Sequence, residues 1–357
     1  MTAMSIDPSL LLPLGWSNEF HRQLTLEQLE SLRPARVIGV AQDHYRVATG
    51  SGEHIATLAG RLRHGHGESL TRPTVGDWVL LEQDAPLIVE RLEPRTLLLR
   101  RGAGGSAPQA IAANVDVMLI VSGLDAEFNL HRIERYLVVA AEAGVTPVVL
   151  LTKADLCPTA EPALAAVRQR LPAAGAVFAF DARQAPLTEL LAPWLTAGNT
   201  LVVAGSSGVG KSTLINNLSG SALQSTQATR RDAKGRHTTT ARTLIPLAGG
   251  ACIIDIPGMR EVGLPPSAGA VDAHFHTLHE LAAHCRFADC RHEEEPGCAV
   301  RTAAERGELD EDEWQHYRKL LAEERHNIAA HERHQQERIF GRMVRAVKKE
   351  KERQGRR

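Results

Sequence analysis

The stretch Gly205-Ser206-Ser207-Gly208-Val209-Gly210-Lys211-Ser212 has the residue types and spacing to hold phosphate. Its glycines let backbone N–H groups turn inward around an anion, Lys211 brings a point charge to the terminal phosphates, and the Ser212 hydroxyl suits Mg²⁺. The apolar run LVVA precedes it and STLINNL follows, with Thr213 in the first turn. The loop therefore leaves a strand and opens a helix, whose N-terminus favours anions. Downstream, Asp255-Ile256-Pro257-Gly258 closes the apolar run ACIID. A carboxylate at Asp255 reaches Mg²⁺ through water, and the Gly258 N–H falls near a γ-phosphate. Between these motifs, Gly235-Arg236-His237-Thr238-Thr239-Thr240 is polar and suited to a mobile switch. One threonine hydroxyl, assigned to Thr239, closes on the metal when the γ-phosphate is present.

Thr152-Lys153-Ala154-Asp155 ends the run PVVLL and resembles the Asn-Lys-x-Asp motif of GTPases. There the Asp carboxylate accepts hydrogen bonds from guanine N1–H and the exocyclic amine, a pair adenine does not offer. A carboxylate left unpaired by the wrong base gives discrimination on the order of 10⁴-fold. Asp181-Ala182, after VFAF, stands where a GTPase places its Ser-Ala loop against the base. GTP and GDP are the expected nucleotides. Both base motifs precede the phosphate loop, the reverse of the common order, so the motif order is circularly permuted. A parallel sheet tolerates this when the old termini lie close together, and whatever follows Asp255 is tied to the nucleotide-sensing element.

A second chemistry sits in Cys285-x4-Cys290-x-His292-x5-Cys298. Three thiolates and one imidazole are the ligand count of tetrahedral Zn²⁺ with no open position, which predicts one structural ion. Such a site contributes about 10–16 kcal/mol of apparent binding energy to a segment with little core of its own. His274, His276, His279 and His284 are read as surface residues, not ligands.

Elements must position these groups. From Arg36 to about Leu99, the runs RVIGV, YRVAT, HIATLAGRLR, DWVLLE and LIVERL are separated by turn residues, which predicts a small five-stranded barrel. An oligonucleotide-binding (OB) barrel leads, with an SH3-like barrel as the alternative. Arg61, Arg63, His64, Arg72, Arg95, Arg100 and Arg101 lie near its turns. From Asn114, continuous apolar runs alternate with amphipathic stretches, the texture of a parallel sheet covered by helices. After about Leu264 the chain turns His-, Glu- and Arg-rich with helical periodicity. The expected organisation is an extension over 1–33, a barrel over 34–102, a permuted GTPase domain over 110–264, a helical zinc domain over 265–340 and a basic tail over 341–357. That tail holds eight Lys or Arg against two Glu.

Composition is that of ordinary globular protein, 43% apolar and 23% charged with net charge -1, so no global basic field marks a nucleic-acid partner. No apolar run spans a membrane and no signal segment opens the chain. Together with five cysteines, three of them clustered, this leads us to expect a cytoplasmic monomer.

Taken together, the motifs resemble the circularly permuted ribosome small-subunit-dependent GTPases, the RsgA or YjeQ family, over about residues 36–340. The resemblance implies an OB barrel, a permuted GTPase domain and a zinc domain. It also implies an assembly factor that binds the maturing small ribosomal subunit and its rRNA, hydrolyses GTP there and leaves. Two departures stand out. Thr152 replaces the Asn of the base motif, which removes an amide that braces the phosphate loop and predicts weaker guanine binding. Met259 stands where the common scheme has a water-orienting Gln, so His237 becomes the candidate general base or water-orienting group beside the catalytic Lys211. A slow isolated enzyme, accelerated by a partner that orders the switch, is expected. The alternative is an RNA-binding nucleotide switch with negligible turnover. A metabolic ATPase or kinase would leave Asp155, the barrel and the cysteine cluster without a role.

Overall fold

The computed structural model describes residues 8–63, 72–100, 108–126, 128–171, 174–220, 242–256, 264 and 269–354. The chain forms two compact units, Met1–Leu99 with Ala110–Val262, and Arg100–Gln109 with Gly263–Arg357. In the first unit, strands β1 (Leu32–Ala41), β2 (His44–Thr49), β3 (Gly52–Leu58), β4 (Trp78–Glu82) and β5 (Leu87–Arg91) close a barrel. Neighbours run β1-β2-β3-β5-β4 and back to β1, with only the β3–β5 pair parallel. Alternate residues fill the lumen: Val37, Tyr45 and Val47, Ala56 and Leu58, Val79 and Leu81, as the two-residue period of a strand requires.

Trp78 and Leu80 face the other way and are buried as well, because the N-terminal arm covers them. The arm carries α1 (Asn18–His21) and α2 (Leu26–Ser31) and packs Leu11, Trp16 and Phe20 on that face. Trp16 meets Trp78 edge-on, with centroids 4.7 Å apart. Thr25 and Gln28 form a reciprocal capping box that starts α2. A short helix, α3 (Gly60–Arg63), follows β3, and β6 (Leu97–Arg100) pairs with β7 (Gln109–Ala113).

The rest of this unit alternates strand and helix: β8 (Val117–Gly123), α4 (Leu130–Glu142), β9 (Thr146–Thr152), α5 (Ala160–Arg170), β10 (Ala176–Ala179), α6 (Leu187–Leu190), β11 (Thr200–Ala204), α7 (Lys211–Ser219), β12 (Thr243–Pro246) and β13 (Cys252–Asp255). The sheet order is β10-β9-β8-β11-β13-β12, parallel except for β12. β8 and β11 are buried at every residue, which is why they read as continuous apolar runs. At its far edge β12 pairs with β1 through Thr243 and Gly39, so barrel and parallel sheet form one sheet of eleven strands.

The junction is organised by Arg36, whose side chain is fully buried. Its guanidinium donates to Leu14 O in the arm at 2.7 Å, to Asn114 O ahead of β8 at 3.2 Å and to Thr200 Oγ1 at the start of β11 at 3.2 Å. It also lies over the Trp78 ring at 5.4 Å. Desolvation lowers its pKa to about 10, still charged at neutral pH. Asn114 tolerates a left-handed backbone (φ 55), and its amide bonds to Gly76 O and the Arg95 N–H. Arg95 belongs to the same junction: it pairs with Asp116 at 3.0 Å and lies over the Phe20 ring, so this arginine is a structural group and not a free basic one. Arg72 pairs with Asp43, and Arg100 bonds to Gln109. His64 and Arg101 lie outside the described residues.

In the second unit, α8 (Ala270–His274), α9 (His276–Ala282), α10 (Ala299–Glu305) and α11 (Glu311–Gln354) share a small core of Val271, Phe275, Leu278, Val300, Tyr317 and Leu320. Leu264 is fastened to α11: its N–H donates to Glu323 and its carbonyl accepts from Asn327.

Arg36→Ala should lower unfolding free energy by on the order of 3 kcal/mol, since it removes the donor from three acceptors, two of them buried. Urea denaturation would register this as a fall in midpoint, and Arg36→Lys, which lacks the planar fork, should recover only part.

Candidate functional site

β11 delivers the chain to Gly205 at φ +143, where a methyl group would lie 2.2 Å from Val121 O. No other residue fits there. Gly210 (φ +100) then turns the loop into α7, whose first N–H groups carry no side-chain cap, leaving them aimed along the loop. The Lys211 ammonium lies inside the loop, donating to Gly205 O at 2.8 Å and Ser206 O at 2.5 Å. Ser212 and Thr213 are half-buried in the first turn of α7. Asp255 ends β13, in register with Val203. Burial raises its pKa and the Lys211 ammonium opposes the rise, so the carboxylate shares the field of the loop.

The base motifs arrive at the same place. A methyl on Gly210 would stand 3.8 Å from Thr152 and 3.9 Å from the Ala182 side chain. Thr152 is buried and its hydroxyl donates to Val209 O at 2.6 Å. The expected loss of a brace with the missing Asn amide is therefore corrected: the shorter hydroxyl reaches the loop because Thr152 sits directly beneath it. Lys153 adopts the left-handed region (φ 61) and its ammonium pairs with Asp125 at 2.5 Å. That turn leads into the short 3-10 turn Ala154–Leu156, on which Asp155 stands. Arg183 donates to Asp155 Oδ2 at 2.7 Å and to Asp181 Oδ1 at 3.0 Å, linking the two loops. The Arg183 hydrogen bonds hold the Asp181 carboxyl below its usual range.

Gly258 and the segment Gly235–Thr240, with His237 and Thr239, lie outside the described residues. Sequence reading missed Arg183, Asp125, Arg132 and Tyr136. Arg183 was findable, because it directly follows Asp181-Ala182. Arg132 and Tyr136 carry a weaker signal, one helical turn apart on α4.

In the second unit, Cys285, Cys290, His292 and Cys298 bring their ligand atoms within 4.8 Å of one another. Cys285 and Cys298 Sγ stand 3.6 and 3.4 Å from His292 Nδ1 and 3.9 Å from each other. A tetrahedral ion with ~2.3 Å sulfur and ~2.0 Å nitrogen bonds separates its ligands by roughly 3.8 Å (S to S) and 3.5 Å (S to N), so the four side chains fit a bound metal. His292 takes a left-handed backbone (φ 60), and burial lowers its pKa, favouring the neutral imidazole a metal needs. The loop between Cys290 and Cys298 is folded by Glu295, whose carboxylate accepts the N–H groups of Arg291 and Glu293. Those bonds bring its pKa down to about 2. Tyr317 of α11 stacks on His292 and donates to Asp272 at 2.9 Å. None of the other four histidines joins the cluster. His276, His279 and His284 are exposed, whereas His274 is half-buried beside Phe275, and burial lowers its pKa to about 4.

Comparison with known proteins agrees with this geometry. The family model described as RsgA GTPase matches residues 92–265. A small ribosomal subunit biogenesis GTPase RsgA 2 from Vibrio vulnificus is 44% identical over 353 residues, covering 98% of each chain. The chain belongs to the RsgA GTPase family. It is accordingly a GTP-hydrolysing enzyme with permuted motif order. A second RsgA relative, from Mesorhizobium japonicum, is 43% identical over 332 residues, covering 91% of this chain and 93% of its own. The crystal structure of YjeQ from Thermotoga maritima matches with TM-score 0.59 and 25% identity over 82% of this chain and 98% of that one. YloQ, described as a circularly permuted GTPase, matches in fold with TM-score 0.55 and 23% identity, covering 82% and 95%. Among the described residues of this RsgA-family chain, no helix is long and apolar enough to cross a membrane.

Two substitutions test the two sites. Gly205→Ala forces the loop off Val121 O and should weaken GTP binding by about 5- to 150-fold, the factor that 1–3 kcal/mol of backbone strain represents; titration with a fluorescent nucleotide reads it. Cys298→Ser should take metal content from about one ion per chain to near zero and open α8–α10 to protease, since the ion contributes much of that unit's folding energy; elemental analysis and limited proteolysis read the two effects.

Proposed function

We propose that this GTPase acts in late maturation of the small ribosomal subunit, binding the subunit and its rRNA and hydrolysing GTP to GDP in a subunit-stimulated manner. The observation that carries the reading is the convergence of Thr152, Ala182 and Gly210 on one point, which sets the Asp155 loop beside the Lys211 loop. Guanine then meets the Asp155 carboxylate while its phosphates lie on Gly205–Ser212 and the N-terminus of α7. Ser212, Asp255 and a switch threonine assigned as Thr239 would hold Mg²⁺, which would neutralise charge on the phosphates. Lys211 stabilises the charge developing on transfer, the Gly258 N–H faces the γ-phosphate, and His237 orients the attacking water in place of the absent Gln.

The relatives' names support the ribosomal assignment. The ligand spacing and the softness of three thiolates support Zn²⁺ as the structural ion. Since Arg95 is committed to the junction, phosphate contacts to rRNA come from the other basic groups of the barrel and from the tail. Their sum should fall steeply with salt. The protein is proposed to work as a cytoplasmic monomer, with the extension, barrel, GTPase, zinc and tail segments bounded as the sequence suggests.

GTP turnover by the purified protein, alone and with small ribosomal subunits, is the test, with ATP as control nucleotide. Subunits should raise GTP turnover by orders of magnitude, as ordering of a switch by an activator does, while ATP stays inert. Unchanged turnover in the presence of subunits would refute the stimulated-enzyme reading and favour a nucleotide switch.

A further inference from the structure

Helix α4 begins with Asn129, whose side chain accepts the Arg132 N–H at 3.0 Å. This cap fixes the first helical turn and with it the direction in which Arg132 leaves the helix. The Arg132 guanidinium donates to Ser206 Oγ at 2.6 Å, and Ser206 is itself buried. One turn later on the same face, the buried Tyr136 hydroxyl accepts the Gly205 N–H. Gly205 and Ser206 are thus gripped from the helix side by two side chains. From the loop side their carbonyls accept the Lys211 ammonium. Ser206 is held at both ends, hydroxyl by Arg132 and carbonyl by Lys211, so a rotation of its peptide would move the perch of the lysine.

We propose that Arg132 is a positioning residue for the GTPase reaction, acting through Ser206 to fix the start of the phosphate loop and the place of the Lys211 ammonium. The proposal rests on the reading of Gly205–Ser212 as the phosphate cradle. Its contribution runs through the loop and through Lys211: Arg132 orders a loop that holds the nucleotide, so its loss weakens binding, and because the ammonium that loop carries stabilises the transition state, kcat falls with it. A charge-assisted hydrogen bond to a buried hydroxyl sets the scale.

The experiment is a double-mutant cycle of Arg132→Ala and Ser206→Ala in the full-length protein, with GTP steady-state kinetics and fluorescent GDP titration. Each single variant should weaken GDP binding about tenfold and lower GTP kcat/KM by at least that factor, and the double variant should be no weaker than either single one. Arg132→Lys should recover part of the loss. Ser206→Ala deletes one oxygen, so it gives the same readout if Arg132→Ala lowers the melting temperature. Lys211→Ala separates the two ideas. If it leaves GDP binding intact, the phosphate-cradle reading itself fails. If it abolishes binding while Arg132→Ala changes affinity less than about twofold, or while the Arg132 and Ser206 effects simply add, Arg132 has no positioning role.

Discussion

A guanidinium removed from water must find acceptors, and the two terminal nitrogens of Arg36 find them on three separate pieces of chain. The arm offers Leu14 O, the segment ahead of β8 offers Asn114 O, and β11 offers Thr200 Oγ1. No two of these pieces are neighbours in sequence. Satisfying the buried charge therefore fixes where the barrel, the arm and the parallel sheet stand relative to one another. Asn114 takes part twice, once as acceptor for Arg36 and once through its amide to Gly76 and Arg95. β11 starts at this junction and ends at the phosphate loop, so the placement of Gly205 inherits the order of the junction through one fully buried strand of five residues.

At the other end of β11 the constraint changes from charge to space. Gly205 passes so close to Val121 that a side chain is excluded, and that close packing puts the Gly205 N–H and the Ser206 hydroxyl within reach of α4. The loops carrying Asp155 and Asp181 come from β9 and β10, which lie beyond β8 in the sheet. Their contact with Gly210 depends on parallel strands ending at one level, the arrangement that collects ligands at the C-terminal edge of such sheets. Permutation leaves this geometry intact because it changes which strands are joined and not which strands lie side by side.

Much of this was legible in the residues. The phosphate loop, the Asp155 and Ala182 segments and the Cys₃His spacing are local patterns, and local chemistry is what sequence spacing records. The five barrel strands were legible as short runs with a period of two. The long-range choices were not. Arg95 looks like one more basic residue near a turn, and only its approach to Asp116 and Phe20 makes it structural. Thr152 reads as a lost amide until the distance to Val209 O shows the hydroxyl in its place. The arm, with two prolines and no periodicity, gives no hint that Trp16 and Phe20 cover the outer face of β4. Arg132 and Tyr136 sit on a helix that any amphipathic pattern explains, which hides their second task.

The pairing of β12 with β1 has a further consequence. A parallel sheet presents two free margins of unpaired N–H and C=O groups, each able to recruit a foreign strand. Here Gly39 meets Thr243 on one of them, so the barrel doubles as a cover for the strand that follows the switch segment. On the opposite margin, Arg168 donates to Val177 O of β10. Cutting the barrel away would uncover the β12 side, turning a self-contained fold into one that invites association with its own copies. The N-terminal barrel is in this sense a guard on the solubility of the catalytic sheet, apart from anything it binds.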